Sequence, residues 1–173
     1  MGLYEEHKAP RPASSPARPR IEVLVDNIRS IYNVGSIFRT SDGAGISHLY
    51  LCGITPTPDN PRLKKTALGA DDVIPWSYHR NGFKTAETLI SQRKRLWALE
   101  GGKQSVSIFS FDMDNAETPI VLAIGNEVCG VDPGILSLCE KIIGIPMQGV
   151  KTSLNTAVAL GIAVYHMRLH DTV

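Results

Sequence analysis

Short runs of apolar residues alternate with amphipathic segments along most of the chain. The runs contain few polar residues, and IVLAI at 120–124 contains none. Continuous apolar runs of this length are typical of strands that are buried on both faces of a sheet. The pattern predicts strands at 21–25, 48–52, 72–78, 96–100, 120–126 and 142–146.

The segments between these runs carry the signals of helices. Asn33 and Ser153 are residue types that favour the N-cap position, and the Asp132-Pro133 pair indicates a capped start with proline in the first turn. Strands that alternate with helices predict a parallel sheet covered by helices on both faces, an α/β/α sandwich. The predicted helices are 33–44, 83–95, 133–140 and 153–170, with a proline-rich loop at 54–61.

Composition places the chain among globular proteins. It has 173 residues, 43% hydrophobic and 20% charged, which is enough for one domain with a sizeable core. No apolar run reaches the roughly 18–20 residues of a membrane span, and the first residues lack the apolar segment of a signal peptide. Its three cysteines, Cys52, Cys129 and Cys139, form no CxxC motif. We therefore expect reduced, buried thiols in a cytoplasmic protein.

Charge is unevenly distributed, although the net charge is only +1. Residues 7–20 contain four basic residues, four prolines and no acid. We therefore expect residues 1–20 to form a flexible basic arm and residues 21–173 to form the folded domain. The arm is interpreted either as a solvated tail or as an electrostatic contact for a phosphate backbone.

Several common sites are not supported by the sequence. The dinucleotide-binding fingerprint, the phosphate-binding loop and the nucleophile elbow of serine hydrolases are all missing or incomplete. His166 and His170 have the spacing of one helical turn, but no further ligands accompany them. We predict no metal site and interpret both histidines as structural or exposed to solvent.

Polar residues cluster where three of the apolar strands end. The clusters are Asn33 with Arg39, Gly125 to Glu127, and Ser153 with Asn155. Open α/β sheets bind ligands at the carboxyl ends of their strands, so these clusters predict one polar site. Simpler interpretations exist: Arg39 pairs with Asp42, the second cluster is an ordinary turn, and Ser153 is a helix cap. Capping by Ser153 leaves Asn155 unexplained within a helix.

These three clusters belong to longer motifs that resemble a known family. The motifs are NVGSIFRTSDGAG (33–45), LAIGNEVCGVDP (122–133) and IPMQGVKTSLNTAVALGI (145–162). In this order they resemble the signature motifs of the SpoU/TrmH family, RNA ribose 2′-O-methyltransferases of the trefoil-knot (SPOUT) superfamily. The resemblance implies a deep C-terminal trefoil knot, a homodimer, S-adenosyl-L-methionine as cofactor without a metal, and tRNA or rRNA as substrate.

Functional residues follow from the resemblance at matching positions. The cofactor-binding residues that it implies are Gly125, Ile145, Met147, Ser153 and Leu154. The catalytic residues that it implies are Asn33, Arg39, Glu127, Ser153 and Asn155.

Arginine keeps its proton up to a pH above about 12, so Arg39 is a poor general base. We expect Arg39 to bind an RNA phosphate or the developing alkoxide while a phosphate or water accepts the proton. Glu127 is expected to hold Arg39, and Asn33 and Asn155 to place the ribose.

The family's dimer contact would fall on the apolar closing helix. Its candidate interface residues are Val158, Ile162, Tyr165 and Met167, and plain core packing is the competing interpretation. RNA recognition is then expected from the arm, the basic run RLKK at 62–65, the dimer surface or a partner. Two alternative functions remain open at this point: a knotted methyltransferase that modifies bases, and a knotted RNA-binding protein without catalysis.

Overall fold

The computed structural model describes residues 20–110 and 118–169. The predicted basic arm lies outside the described residues except for Arg20, and so does His170.

Seven parallel strands form one sheet within the described residues. The strand order is β3-β2-β1-β6-β4-β7-β5, and every pairing between neighbours is parallel. The strands are β1 (Ile21–Asp26), β2 (Leu49–Cys52), β3 (Trp76–His79), β4 (Arg95–Leu99), β5 (Val106–Ser107), β6 (Ile120–Ile124) and β7 (Lys141–Gly144).

Buried strands β1 and β6 form the centre of the sheet. All their residues are buried, and they pair from Ile21 with Ile120 to Val25 with Ile124. Alternate side chains enter two different cores: Val23 packs into the larger one, whereas Leu24 packs into the smaller one. A strand buried on both faces needs apolar residues at every position, which explains the unbroken apolar runs.

Helices cover both faces, as the sequence predicted. Residues of α1, α2, α3 and α6 contribute to the larger core, and residues of α4 and α5 contribute to the smaller one. The predicted α/β/α sandwich is thereby confirmed. The helices are α1 (Ile31–Gly43), α2 (Pro61–Ala67), α3 (Ala70–Val73), α4 (Gly82–Ser91), α5 (Pro133–Leu138) and α6 (Thr156–Leu169).

Two predicted caps were wrong. Helix α1 begins after Ser30, whose hydroxyl accepts a hydrogen bond from the Asn33 N–H at 3.3 Å, so Asn33 lies inside the first turn. Helix α6 begins after Asn155, whose side-chain oxygen accepts hydrogen bonds from the N–H groups of Ala157 and Val158. Ser153 therefore does not cap this helix. The predicted caps of α5 and its first-turn proline are confirmed.

Short elements also differ from the sequence pattern. Residues 61–67 form α2, in which Asn60 supplies the cap and Pro61 opens the helix. The predicted extended segment 72–78 divides into the end of α3 and strand β3. Strand β5 was not predicted, because two residues are too few to give a hydrophobic pattern.

Helix α6 has a buried side and an exposed apolar side. Met167 is fully buried in the larger core, so it cannot belong to the predicted interface. The apolar residues Val158, Ile162 and Tyr165 are 53%, 36% and 47% exposed. Arg168 binds the segment directly after α1 by donating to the carbonyl oxygens of Ala44 and Gly45.

Burial of the cysteines also differs from the prediction. Cys52 is buried and Cys139 is half-buried, whereas Cys129 is exposed in the loop after β6. All three thiols are free. Burial raises the pKa of Cys52 to about 12. Among the described helices, none has both the length and the apolar character needed to cross a membrane.

Candidate functional site

A cleft opens at the carboxyl edge of the sheet, where the sequence predicted a polar site. Its volume is about 600 Å³, and its walls come from residues 99–102, 125–130 and 145–159. We call it the edge cleft. The first two segments follow β4 and β6, and the third joins β7 to α6. Parallel strands bring these loops together because their carboxyl ends share one edge of the sheet.

The loop after β6 folds back tightly on itself at two glycines. A Cβ atom on Gly125 would overlap the backbone of Gly130 and Val131, so only glycine permits this approach. Gly130 also adopts a positive φ of 74°. The side chain of Asn126 stabilises the turn by accepting from the N–H of Val128 at 2.9 Å. These contacts hold peptide groups of residues 125–130 at the wall of the edge cleft.

Glu127 connects this loop to the start of α1. Its Oε2 accepts from the Arg29 N–H at 3.1 Å, and its Oε1 accepts from the Ser30 N–H at 3.0 Å. Oε1 also accepts from Nδ2 of Asn33 at 2.9 Å. A carboxylate at this position neutralises the positive end of the helix dipole while it satisfies free N–H groups.

The surroundings of Glu127 favour its ionised form. Partial burial alone would raise the pKa of the Glu127 carboxyl. Hydrogen bonds from the backbone N–H groups of Arg29, Glu127 and Ser30, together with the Asn33 amide, outweigh burial and hold that pKa below its ordinary value. The carboxylate is therefore kept charged by N–H groups and an amide, and none of these hydrogen-bond partners is a cation.

The two contacts of Asn155 explain why an asparagine stands at the start of α6. Its Oδ1 caps α6, and its Nδ2 donates to Oδ1 of Asn33 at 3.0 Å. Asn33 in turn donates to Glu127. A chain of hydrogen bonds thus joins one residue from each of the three sequence motifs. We call Glu127, Asn33 and Asn155 the polar triad.

The residues predicted to bind the cofactor all lie on the wall of the edge cleft. They come from the second and third motifs. One of them, Ser153, has an exposed hydroxyl that makes no hydrogen bond to the described residues. Their role in binding stays a prediction. The five residues are Gly125, Ile145, Met147, Ser153 and Leu154.

Arg39 lies apart from the polar triad. It is exposed on the second half of α1, does not line the edge cleft and makes no hydrogen bond or ion pair with the described residues. Glu127 does not hold Arg39, contrary to our expectation, because its oxygens bind the start of α1. The alternative pair of Arg39 with Asp42 is not formed either.

Sequence reasoning missed Glu100 as a residue of the edge cleft. Its Oε2 accepts from the Val131 N–H at 2.8 Å, which links the end of β4 to the loop after β6. The signal was present, since Glu100 is the last residue of the strand predicted at 96–100, whose end lies at the same edge. Among residues 20–110 and 118–169, no group of three or more histidine, cysteine or acidic side chains is placed to hold a metal.

A protein-family model described as the SpoU rRNA Methylase family matches residues 20–165 of the chain. The chain is 28% identical over 148 residues to the 23S rRNA (guanosine-2′-O-)-methyltransferase RlmB of Pseudomonas putida. That alignment covers 85% of this chain and 58% of the relative. The tRNA (guanosine(18)-2′-O)-methyltransferase of Aquifex aeolicus is 29% identical over 143 residues, with 83% of this chain and 66% of the relative covered. The chain thus spans less than two thirds of the length of these curated relatives.

Solved structures give the same result. The TrmH/SpoU tRNA modifying enzyme of A. aeolicus superposes with a TM-score of 0.77 at 28% identity, over 89% of this chain and 77% of that one. The SpoU methyltransferase AviRb of Streptomyces viridochromogenes, in complex with AdoMet, superposes with a TM-score of 0.78 at 25% identity. This superposition covers 88% of this chain and 60% of the AviRb chain.

Proposed function

The chain belongs to the SpoU rRNA methylase family, as its motifs predicted, and we propose that it transfers a methyl group from S-adenosylmethionine to a ribose 2′-hydroxyl of tRNA or rRNA. The relatives named above are ribose 2′-O-methyltransferases of rRNA and of tRNA, which supports both substrates. The observation that carries the proposal is the polar triad. It joins the three motifs beside a cleft at the carboxyl edge of a parallel sheet.

The edge cleft fits a cofactor of the size of S-adenosylmethionine. Its volume of about 600 Å³ lies within the usual range of small-molecule sites. Gly125 and Gly130 allow the loop to fold tightly at the wall of the cleft, where its peptide N–H and C=O groups can bind polar atoms of the ligand. Gly125, Ile145, Met147, Ser153 and Leu154 would hold the cofactor. When bound, S-adenosylmethionine supplies a methyl group on a positively charged sulfur, and no metal is needed to activate it.

The chain's own residues would orient the ribose and manage its proton. One hydrogen bond joins Asn33 to Asn155, and Asn33 also donates to Glu127, so their amide groups are held in position to direct a ribose hydroxyl. Arg39 is exposed and has no partner among the described residues, which leaves its guanidinium available for an RNA phosphate. We propose that Arg39 binds that phosphate or the developing alkoxide, and that a phosphate oxygen or water accepts the proton.

A homodimer is part of this proposal. The apolar stripe of Val158, Ile162 and Tyr165 is exposed on α6 and repeats with helical spacing, so a second copy would cover it. On α1, Thr40 is the neighbour of Arg39, and it lies against Gly161 of α6. Arg39 is therefore close to the stripe, in line with a site that is completed where two subunits meet.

We also propose the deep C-terminal trefoil knot of the family. Two observations support it: β7 lies between β4 and the short strand β5, and the segment after β7 passes the loop after β4 before α6 returns to α1. Residues 21–173 would then form one knotted domain. RNA substrates of this kind make the cytoplasm the expected location.

Labelled methyl transfer tests the function directly. The protein is incubated with S-adenosylmethionine that carries a tritiated methyl group and with total bacterial RNA, which is then digested to nucleosides. We expect label in 2′-O-methylnucleosides and its loss in Arg39→Ala. Arg93→Ala is the matched control, because Arg93 is an exposed arginine that follows α4 at the opposite edge of the sheet.

The position of the label separates the alternatives. Label on bases would contradict ribose methylation and indicate a base-modifying enzyme. Cofactor binding without transfer to any RNA, measured by calorimetry, would contradict the enzymatic proposal and favour a non-catalytic RNA-binding protein. Loss of label in Arg93→Ala as well as Arg39→Ala would remove the assigned role of Arg39.

A further inference from the structure

A second, smaller cleft lies between the start of α1 and helix α2. Its volume is about 350 Å³, and it is lined by Ile31, Tyr32, Arg62, Lys65 and Thr66. We call it the α1–α2 cleft. The two helices approach closely beside it because Gly35 has no side chain: a Cβ atom there would overlap Thr66, whose hydroxyl donates to the Leu63 carbonyl within α2.

Tyr32 presents a large aromatic ring to solvent in this cleft. Its side chain is 76% exposed, whereas Ile31 packs against the larger core and Val34 is buried. The Tyr32 hydroxyl makes no hydrogen bond to the described residues. Neither core packing nor hydrogen bonding within the described fold therefore accounts for this aromatic residue.

Two positive charges border the same cleft. Arg62 and Lys65 are exposed and lie three residues apart, so they share one face of α2. Neither side chain makes a hydrogen bond or ion pair with the described residues, and no carboxylate lines the cleft. Lys64, which lies between them in the sequence, does not line it. The structure therefore divides the basic run at 62–65 into residues on the cleft and residues away from it.

The α1–α2 cleft has a fixed position relative to the polar triad. Tyr32 directly precedes Asn33, and the N–H of Ser30 is bound by Glu127 at 3.0 Å. The first turn of α1 is thus attached to the site on one side and presents Tyr32 on another. The cleft is therefore within reach of a nucleotide that neighbours a ribose at Asn33.

We propose that the α1–α2 cleft binds the nucleotide that neighbours the modified one in a single RNA strand. Its base stacks on Tyr32, and its phosphates are bound by Arg62 and Lys65. An exposed aromatic ring beside unpaired cations is the usual arrangement for single-stranded nucleic acid, because every base can stack and every phosphate is an anion. This inference rests on the proposed function, since it places the cleft beside a ribose that is methylated.

Binding of two matched probes to the full chain tests the assignment. One probe is a labelled oligouridylate of about 12 nucleotides, and the other is a ribose-phosphate oligomer of the same length without bases. Fluorescence anisotropy gives the dissociation constant at several salt concentrations. Tyr32→Ala is expected to weaken binding of the oligouridylate about tenfold and to leave binding of the abasic oligomer unchanged. Tyr32→Phe keeps the ring and is expected to bind as the wild type does.

The basic residues are tested by the salt dependence. Each phosphate contact in a single strand contributes about 0.7 to the slope of log K against log salt concentration. The double variant Arg62→Ala/Lys65→Ala is expected to reduce the slope by about 1.4 with both probes. Lys64→Ala removes a charge from the same helix outside the cleft, and an unchanged slope is expected for it.

Three results would overturn the inference. They are equal loss of both probes in Tyr32→Ala, a slope in the double variant that matches Lys64→Ala, and a wild-type chain that binds neither probe. Unchanged binding of the oligouridylate in Tyr32→Ala would also overturn it. That result would indicate a site for an acidic ligand such as a peptide, which needs the cations but not the ring.

Failure of the proposed function would give a different result. Methyl transfer by the wild type with the same RNA KM in Tyr32→Ala overturns the cleft assignment and leaves the function intact. Selective loss of oligouridylate binding in Tyr32→Ala, with no RNA methylated by the wild type, contradicts the function and supports RNA binding in the cleft.

Discussion

The two edges of the parallel sheet satisfy their charged groups in opposite ways. At the amino edge, acids are paired with bases. At the carboxyl edge, the Glu127 carboxylate is bound by N–H groups and an amide, with no cation among its hydrogen-bond partners. The difference separates charges that are compensated by an opposite charge from a charge that is compensated only by N–H dipoles.

At the amino edge the ionic groups neutralise one another. Lys94 Nζ lies 2.6 Å from Glu22 Oε2, and the Tyr50 hydroxyl donates to the same oxygen at 2.7 Å. Arg95 and Glu140 form a second pair, with two hydrogen bonds between the guanidinium and the carboxylate. A paired and partly buried ion gains little from a further ligand, because its charge is already compensated.

At the carboxyl edge the polar groups are fixed but not neutralised. Glu127 keeps its negative charge, and Ser153 presents its hydroxyl to solvent. Fixed groups of this kind lose little energy on reorganisation when a reacting molecule binds. Charge pairing at the amino edge therefore favours a structural role for its ions, and the carboxyl edge is where we propose the site.

Removal of the charge at Glu127 should have the largest effect on activity. Glu127→Ala frees the start of α1 and Asn33, and a displacement of about 1 Å at a reacting group can cost about 100-fold in rate. We expect kcat/KM for RNA methylation to fall about 100-fold, measured with labelled S-adenosylmethionine. Glu140→Ala is the control at the amino edge and should keep its activity. Equal losses in both variants would remove the distinction between the edges.

Removal of the charge at Glu22 should have the opposite profile. Glu22→Gln leaves Lys94 without its counter-charge in a partly buried position, where an unpaired group costs about 2 kcal/mol. We expect the free energy of unfolding in urea to fall by about that amount while kcat/KM stays unchanged. A double variant with Lys94→Met should recover part of the stability. A large loss of activity in Glu22→Gln at unchanged stability would contradict a structural role.

Asn155 allows capping and site geometry to be separated. Asn155→Ala should lower the free energy of unfolding by about 1 kcal/mol through loss of the cap. It should also lower kcat/KM about tenfold, because Asn33 loses a hydrogen bond that orients it. Asn155→Ser restores a capping oxygen but not the bond to Asn33, so stability should return and activity should not. Recovery of both would assign Asn155 to capping alone.

The smallest expected effect is a pH dependence of stability from His48 and His79. Burial lowers the pKa of His48 and of His79 from the ordinary value of 6.5. Because the unfolded chain then binds more protons, their contribution is fully present above pH 6.5 and is lost as the pH falls through the lowered values.

Thermal melts from about pH 7.5 to about pH 5 should therefore show a falling midpoint, because this interval brackets the ordinary histidine pKa of 6.5. The double variant His48→Gln/His79→Gln should reduce this dependence, and cofactor binding at pH 7 should be unaffected. An unchanged pH dependence in the variant would show that other groups cause the effect.

Sequence patterns predicted the sheet better than the details of the site. Strands β1 and β6 were found because burial on both faces requires apolar residues at every position. The three motifs were expected to meet because parallel strands end at one edge. The cap of α1 was missed because Ser30 and Asn33 are both residue types that cap helices well. The contact of Glu127 with the Ser30 N–H was missed because it joins residues that are 97 positions apart in the sequence. Local preference carries no information about a contact at that distance.

The role of Arg39 shows the same limit. Its position in the motif predicted function, but its partner could not be read from residue types, since Glu127 uses its oxygens elsewhere. Helix α2 was hidden by the prolines around it, although Asn60 followed by Pro61 is a regular helix start. Short elements depend on tertiary contacts more than on a periodic pattern.

The pairing of β1 with β6 also has a kinetic consequence. Ile21 is hydrogen-bonded into a ladder beside Ile120, so the middle of the sheet closes only after most of the intervening chain has been made. Contacts of such long sequence separation are associated with slow folding, because the entropy of loop closure must be lost before the contacts form. During synthesis, the first strand cannot pair with β6 until residue 120 and those after it have been added.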